Sequence, residues 1–561
     1  MSFKKAFARR LQGNKYLIHE WTDQGYEKVE WINKAYVECN EGEATHTGLN
    51  GESLKKVSNW NNENSKLHFH DMPPYQKFLV EKYGINDEPS ITHRELFFDI
   101  EIEMGEALTE EYIKSAPKKV TSIAWYDKQA DEWACIILDQ KNQLKPTKKS
   151  NREIIPCRTE GELLGKFLEK FREIDPDIII GWNSDYFDVP YLYYRICNVL
   201  GEDIANYLSP INYVRETPWF KDQFIQIPGV ESLDYMRLHK KFSQRDEPSM
   251  RLDSIGEKYV NLGKIEYEGN LDRLFETDIN KFIDYNFRDV EILVELDKKL
   301  EYLSLVKNLS HKGKHNYSEV YANTKTQDGA ISAYLLSEGI VPPAKERNPF
   351  SKKNYAGGYL FCPKAGIYNY MFDEDLTSLY PSIIMTINIG KETMVGRIID
   401  ADDRNNRLGL NDLLKRDQNE ELIVENVKRD RTKVKVKKII SIIQQSNLSI
   451  SANGVMFKTN RESVLSTILK KWFKERVEYK TLMKKAYKSG DEGLGAQFHM
   501  KQYTMKILLN SLYGATALGS FRYGNVILSE AITLSGQRII QESALTANRH
   551  INSVIRGEKQ L

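Results

Sequence analysis

Asp375-Leu376-Thr377-Ser378-Leu379-Tyr380-Pro381-Ser382 puts a carboxylate at the point where a strand would leave into a tight turn, a geometry suited to holding a metal ion against a triphosphate. The acid alone could be an ordinary turn residue; the residues that follow make the stretch specific. Cations gather further on. Arg476 and Lys480 fall one helical turn apart, with Lys484 and Lys488 following at the same interval. Lys506, Asn510 and Tyr513 share one face of a second helix. Cations aimed from two helices at one point neutralise charge on β- and γ-phosphates. A solvated basic face is the competing reading, and it is the stronger one for Lys484 and Lys488. Phosphoryl transfer of this kind uses two metals bridged by carboxylates from two elements. These residues supply the Asp375 element and no second one.

A separate acidic set lies earlier. Phe98-Asp99-Ile100-Glu101 places two carboxylates on one face of a strand, because strand side chains alternate. The pair follows the buried-looking Leu96-Phe97-Phe98, where an unpaired charge would be costly. Asp188 ends Gly181-Trp182-Asn183-Ser184-Asp185-Tyr186-Phe187-Asp188, a strand end turning into a helix; alone it reads as a helix cap. Tyr285 and Asp289, at i and i+4, put a phenol beside a carboxylate, which alone would pass for a solvated face. Hard divalent cations favour such oxygen ligands.

The elements that must carry these groups follow from periodicity. Strands are predicted at 94–102, 120–125, 133–138 and 178–180, a helix at 187–200 and one long amphipathic helix over 278–303. Strands interleaved with helices imply an α/β domain. Residues 312–353 read as an irregular connector, 359–370 as strand, 402–419 as a polar excursion and 427–443 as an edge strand or hairpin. Two helices, 461–489 and 492–517, are separated by Ser489-Gly490-Asp491, and a last helix covers about 529–552. Lys433, Lys435 and Lys437 would line one strand face, either to meet template phosphates or to protect an edge.

With 561 residues and a net charge of +1, the chain is long enough for several domains and gives no global charge argument for nucleic acid. No apolar run approaches bilayer length, and no apolar segment follows the basic amino terminus, so neither a membrane span nor a secretory signal is expected. The cysteines Cys39, Cys135, Cys157, Cys197 and Cys362 are scattered without a CxxC pair. That fits a reducing compartment, read here as cytoplasm, and argues against a zinc ribbon.

Taken in order, the three acidic elements resemble the three exonuclease motifs of DEDDy-type 3′–5′ proofreading domains. The Asp375 block resembles motif A of family B DNA polymerases, and Lys506 to Gly514 matches the KxxxNSxYG motif of that family. Tyr355-Ala356-Gly357-Gly358 matches its YxGG element, where adjacent glycines let backbone approach a nucleic-acid strand. The resemblance is nearest to the replicative polymerases of T-even-type bacteriophages, supported by Phe187-Asp188-Val189-Pro190-Tyr191 and Leu233-Asp234-Tyr235.

The resemblance implies a multidomain α/β and α+β chain, with an RNase H-like 3′–5′ exonuclease domain (94–310) inserted in an amino-terminal domain (1–93, completed by about 311–365). A palm (366–455), helical fingers (456–516) and a truncated palm continuation (517–561) would follow. Asp99, Glu101, Asp188 and Asp289 would hold two Mg²⁺ ions, with Tyr285 orienting the attacking water. Asp375 and Leu376 would meet metal, and two Mg²⁺ would occupy that site once assembled. Leu376, Thr377, Ser378 and Leu379 would line the triphosphate, Tyr380 would exclude a 2′-hydroxyl, and Arg476, Lys480, Lys506 and Asn510 would bind the nucleotide. Tyr355, Gly357, Gly358, Tyr513 and Gly514 would meet DNA. Asp373, on the strand face of Asp375, either approaches the metal or faces solvent.

The family continues into a Tyr-x-Asp-Thr-Asp hairpin and a thumb that are not found here. The chain is therefore expected to be the amino-terminal part of a split polymerase, binding primer-template, single-stranded DNA and dNTPs. Synthesis would need a carboxy-terminal partner, which would also contact the sliding clamp. A free-standing 3′–5′ exonuclease and a translational repressor-like RNA-binding protein are the alternatives.

Overall fold

The computed structural model describes residues 2–61, 66–105, 109–218, 224–243, 246–346, 356–362, 364–367, 375–399 and 408–556. The chain divides into two compact units, residues 1–33 with 73–322, and residues 34–72 with 323–561.

The first unit is built on a seven-stranded sheet. Its strands run in the order Thr147–Lys149, Arg152–Cys157, Glu132–Leu138, Val120–Asp127, Glu95–Ile102, Ile178–Gly181, Glu231–Asp234. The Asp99 strand pairs antiparallel with Val120–Asp127 and parallel with Ile178–Gly181, so it lies inside the sheet. Its Leu96, Phe98 and Ile100 face a core shared with Leu163, Phe167, Tyr191 and Ile196 from the helices Glu160–Ile174 and Asp188–Leu200. Asp99 and Glu101 point to the opposite face, as the two-residue period requires. That face is covered by the helix Ile279–Leu300, started by Asp278, whose side chain accepts from Lys281 N–H at 3.0 Å. Opposite the two acids stand Ser122 and Ala124, both small, which leaves room for that helix.

The expected single helix over 278–303 is two. Glu301 adopts φ 54 and a second helix, Tyr302–Gly313, begins behind it. The amino-terminal segment expected as one domain over 1–93 is divided. Its first three strands, Phe3–Arg10, Lys15–Thr22 and Gly25–Ile32, belong to the first unit, while 34–72 belongs to the second.

In the second unit, 34–72 and 340–341 form a five-stranded sheet in the order Ile340–Val341, His46–Gly48, Ser53–Val57, Ala35–Glu38, Leu67–His68. Arg522 is completely buried and holds this unit's separate stretches together. It donates to Asp328, to Asp71 and to the carbonyl of Pro343. Another five-stranded antiparallel sheet runs Arg431–Lys435, Glu421–Asn426, Met394–Ile399, Val455–Lys458, Leu448–Ile450. The long helices Val464–Lys488 and Glu492–Thr516 pack together, and Val526–Ile555 follows.

Three expectations in this unit change. The connector 312–353 contains the helix Asn323–Ser337. The stretch 427–443 is an edge strand only as far as Lys435; Val436–Gln445 is a helix, so Lys437 does not share a strand face with Lys433 and Lys435. Residues 356–362 and 364–367 form no strand, and the rest of that expected strand lies outside the described residues. Of the expected excursion 402–419, residues 402–407 lie outside the described residues and 408–419 contains a short helix at Leu410–Leu414. No described helix is long and apolar enough to cross a membrane.

Candidate active site

Carboxylate oxygens of Asp99, Glu101 and Asp289 lie within 4.8 Å of one another, on the sheet face under the Tyr285 helix. Asp188 opens its helix beside them, and its Oδ1 accepts from the Ile100 N–H at 3.3 Å, next to both strand acids. The capping residue there is Phe187, so Asp188 does not serve as the helix cap.

Two buried acids brace the turn that delivers Asp188. Asp234 Oδ1 accepts from the N–H of Asn183 at 3.0 Å, and Asn183 sits at φ 62. Asp185 accepts from Ser232 Oγ at 2.8 Å and from Arg237 at 2.7 Å. Neither contact is legible as a motif, because each joins residues far apart in the chain.

Burial first, and crowding of negative charge after it, disfavour ionisation in the cluster. Burial, then Asp289, Asp188 and Glu101, raise Asp99 well above the carboxylate range. Burial with Asp289 pushes Glu101 up to about 8. Burial pushes Asp188 up to about 7 against the hydrogen bond from Ile100. Burial raises Asp289 too, although Lys264 opposes it. Lys264, which sequence reasoning missed, donates to Asp289 Oδ2 at 2.5 Å and to the Tyr285 hydroxyl at 3.0 Å. Burial works against its charge, yet Asp289, Tyr285 and Asp99 raise it well above the lysine range. The other oxygen of Asp289 is buried with no hydrogen-bond partner. Close hard oxygens, frustrated by like charge and carrying a buried orphan lone pair, fit a divalent cation.

The second set of residues lies in the other unit. Ser378 takes φ 55 and the helix Leu379–Ile387 starts after it, which is the tight turn expected behind Asp375. Asp375, Leu376 and Thr377 are exposed, and Asp373 and Tyr355 lie outside the described residues. Tyr380 packs its ring on Tyr513, centroids 4.4 Å apart. A Cβ built on Gly536 would stand 3.0 Å from the Tyr380 ring, and one on Gly358 3.3 Å from its hydroxyl. Gln537 donates to the Gly357 carbonyl at 2.7 Å. Arg476, Lys484 and Lys506 lie close enough to Lys480 to depress its pKa, Arg476 foremost. Burial lowers the pKa of Arg476, and its Nε is buried without a partner. Asn510 and Gly514 are exposed on the same helix as Lys506.

Residues 55–255 match the family described as DNA polymerase family B, exonuclease domain, and residues 322–560 match DNA polymerase family B. The chain is 29% identical over 452 residues to a DNA-directed DNA polymerase of Escherichia phage RB69, covering 71% of this chain and 46% of that protein. It is 28% identical over 452 residues to the DNA-directed DNA polymerase of Enterobacteria phage T4, covering 71% and 47%. It is 23% identical over 426 residues to DNA polymerase 1 of Saccharolobus solfataricus, covering 71% and 41%. The chain thus spans about half the length of the phage relatives it matches.

Proposed function

We propose, from a chain that carries both the exonuclease and the polymerase domains of DNA polymerase family B and so belongs to that family, that residues 94–310 remove nucleotides from the 3′ end of DNA. The observation that carries this reading is the close set of Asp99, Glu101 and Asp289 oxygens with one buried oxygen left unpaired. Asp99, Glu101, Asp188 and Asp289 would hold divalent cations, which activate a water and stabilise the leaving oxygen. Mg²⁺ suits the all-oxygen donor set.

The side chains around the acids prepare the water's place. Burial and Asp289 push the Tyr285 phenol up, so it keeps its proton at neutral pH. Lys264 donates to the phenol oxygen, so the Tyr285 proton points elsewhere and can orient a water. The Asp99→Ala, Glu101→Ala double variant should abolish digestion of 5′-labelled single-stranded DNA in Mg²⁺. Undiminished digestion by that variant would remove the assignment.

The second unit is read as part of a polymerase site. Tyr380 would lie under the sugar, braced by Tyr513, with Asp375 and the Leu376 backbone meeting metal. Leu376 to Leu379 would line the triphosphate, and Arg476, Lys480, Lys506 and Asn510 would bind its phosphates. Gly357, Gly358 and Gly514 would admit DNA closely. The second carboxylate element would come from chain outside these residues, either in a longer protein or in a partner that also supplies the clamp contact. Primer extension should then be absent from the 561-residue chain and appear once a polypeptide carrying that element is added. Robust extension by the pure chain overturns that part alone.

A further inference from the structure

Asn286 follows Tyr285 on the helix over the acidic cluster, and its side chain is completely buried. Its amide is used at both ends. Nδ2 donates to Asp99 Oδ2 at 2.8 Å, and Oδ1 accepts from Ser122 Oγ at 2.8 Å. Ser122 stands directly opposite Glu101 in the neighbouring strand, on the face that carries the acids. The relay therefore joins Val120–Asp127, Ile279–Leu300 and Glu95–Ile102 through a single amide.

Chemistry explains why an amide is used here. Asp99 sits among like charges and, without a donor, would turn away from its neighbours. An arginine or lysine would hold it but would compete with a cation for the site; a carboxylate would repel it. The Asn286 amide donates without net charge and occupies one oxygen of Asp99, leaving the other free. A buried amide oxygen needs its own donor, and the Ser122 hydroxyl provides it.

We infer that Asn286, anchored by Ser122, is a positioning residue that fixes Asp99 for cation binding. The inference rests on the exonuclease reading above, and hydrogen bonds behind metal ligands commonly govern affinity in this way. It is tested on the free protein by Mn²⁺ titration followed by electron paramagnetic resonance, with thermal melting as a control and digestion of single-stranded DNA as a second readout. Asn286→Ala should weaken Mn²⁺ binding about 10–100-fold, and Ser122→Ala by a smaller factor. Because the two act in series, the double variant should bind as Asn286→Ala does, a coupling that independent packing defects would not show.

Mn²⁺ affinity within twofold of wild type in folded Asn286→Ala overturns the inference, as do losses that multiply in the double variant. Should Asn286→Ala fail to fold, Ser122→Ala decides: reduced affinity supports the relay and unchanged affinity sinks it. A wild-type chain that neither binds Mn²⁺ nor digests DNA would instead sink the exonuclease reading.

Discussion

Lys264 donates to both Tyr285 and Asp289, so on the proposed reading one cation would set the phenol's proton direction and compete with a metal for a carboxylate oxygen. Replacing it with Met should separate those effects. Digestion of single-stranded DNA should fall about 10–100-fold, the usual cost of losing a supporting contact. Mn²⁺ affinity should hold or rise, because Asp289 is released. A parallel loss of both would make Lys264 a scaffold residue instead. The strand period put Asp99 and Glu101 on one face and the helix spacing put Tyr285 beside Asp289, both local facts, but that these acids meet was implied only by the resemblance. Lys264 and Asn286 were not legible, because their partners lie 25 and 187 residues away.

Distance along the chain also hides Asp177. It accepts from Lys4 at 2.7 Å, Lys5 at 3.1 Å and the Arg94 N–H at 3.1 Å, tying the first strand to the seven-stranded sheet. Burial opposes its charge, yet Lys5 and Lys4 hold its pKa down to about 2. A carboxyl lowered on folding adds stability above its unfolded pKa and loses it as pH falls through the folded value. Lys5 is itself pushed down by burial despite Asp177, so the contribution is smaller than the Asp177 shift alone suggests. Asp177→Asn should cost on the order of 1–2 kcal/mol at pH 7. That gap should close between about pH 4 and pH 2, as read from urea melts.

Elements were legible where one period ran uninterrupted. The helices Val464–Lys488 and Glu492–Thr516 match the expected pair to within a few residues at each end. The stretch after Lys435 misled because alternating Val and Lys imitates a strand; Val436, Ile439, Ile440 and Ile443 are the helical spacing that fills the core. Asn323–Ser337 was missed because it buries Thr326, Gln327, Asp328 and Ser332 beside its apolar residues, which erases the amphipathic stripe. Glu301 ends a helix without the glycine or proline that would announce it. On the paired helices, Arg476, Lys484 and Lys506 disfavour the charge of Lys480, so the group is repulsive until an anion joins it. Inorganic tripolyphosphate should therefore raise the melting temperature, by the equivalent of about 2.7 kcal/mol at a hundredfold excess over its Kd. Lys480→Ala with Lys506→Ala should erase that rise; an undiminished rise places the anion elsewhere.

At the scale of the molecule, the acidic cluster and the cationic helices belong to different compact units. Among the described residues none serves both, and each set is completed by contacts inside its own unit: Ser122, Asn286 and Lys264 for one, Tyr380 with Tyr513 for the other. Effects at sites without shared partners add. The Asp99→Ala, Glu101→Ala variant should thus lose DNA digestion and Mn²⁺ binding while its tripolyphosphate response stays within error of wild type. The Lys480→Ala, Lys506→Ala variant should show the reverse, digesting unpaired DNA at the wild-type rate. Combining all four changes should remove both properties with no further fall in thermal stability than the two pairs give separately. Cross-talk in either direction, measured as a change of more than about threefold in the untouched property, would mean that the two sites act as one energetic unit. Hydrolysis would then be coupled to nucleotide binding before any primer is present, and separate accounts of the two sites would have to be abandoned.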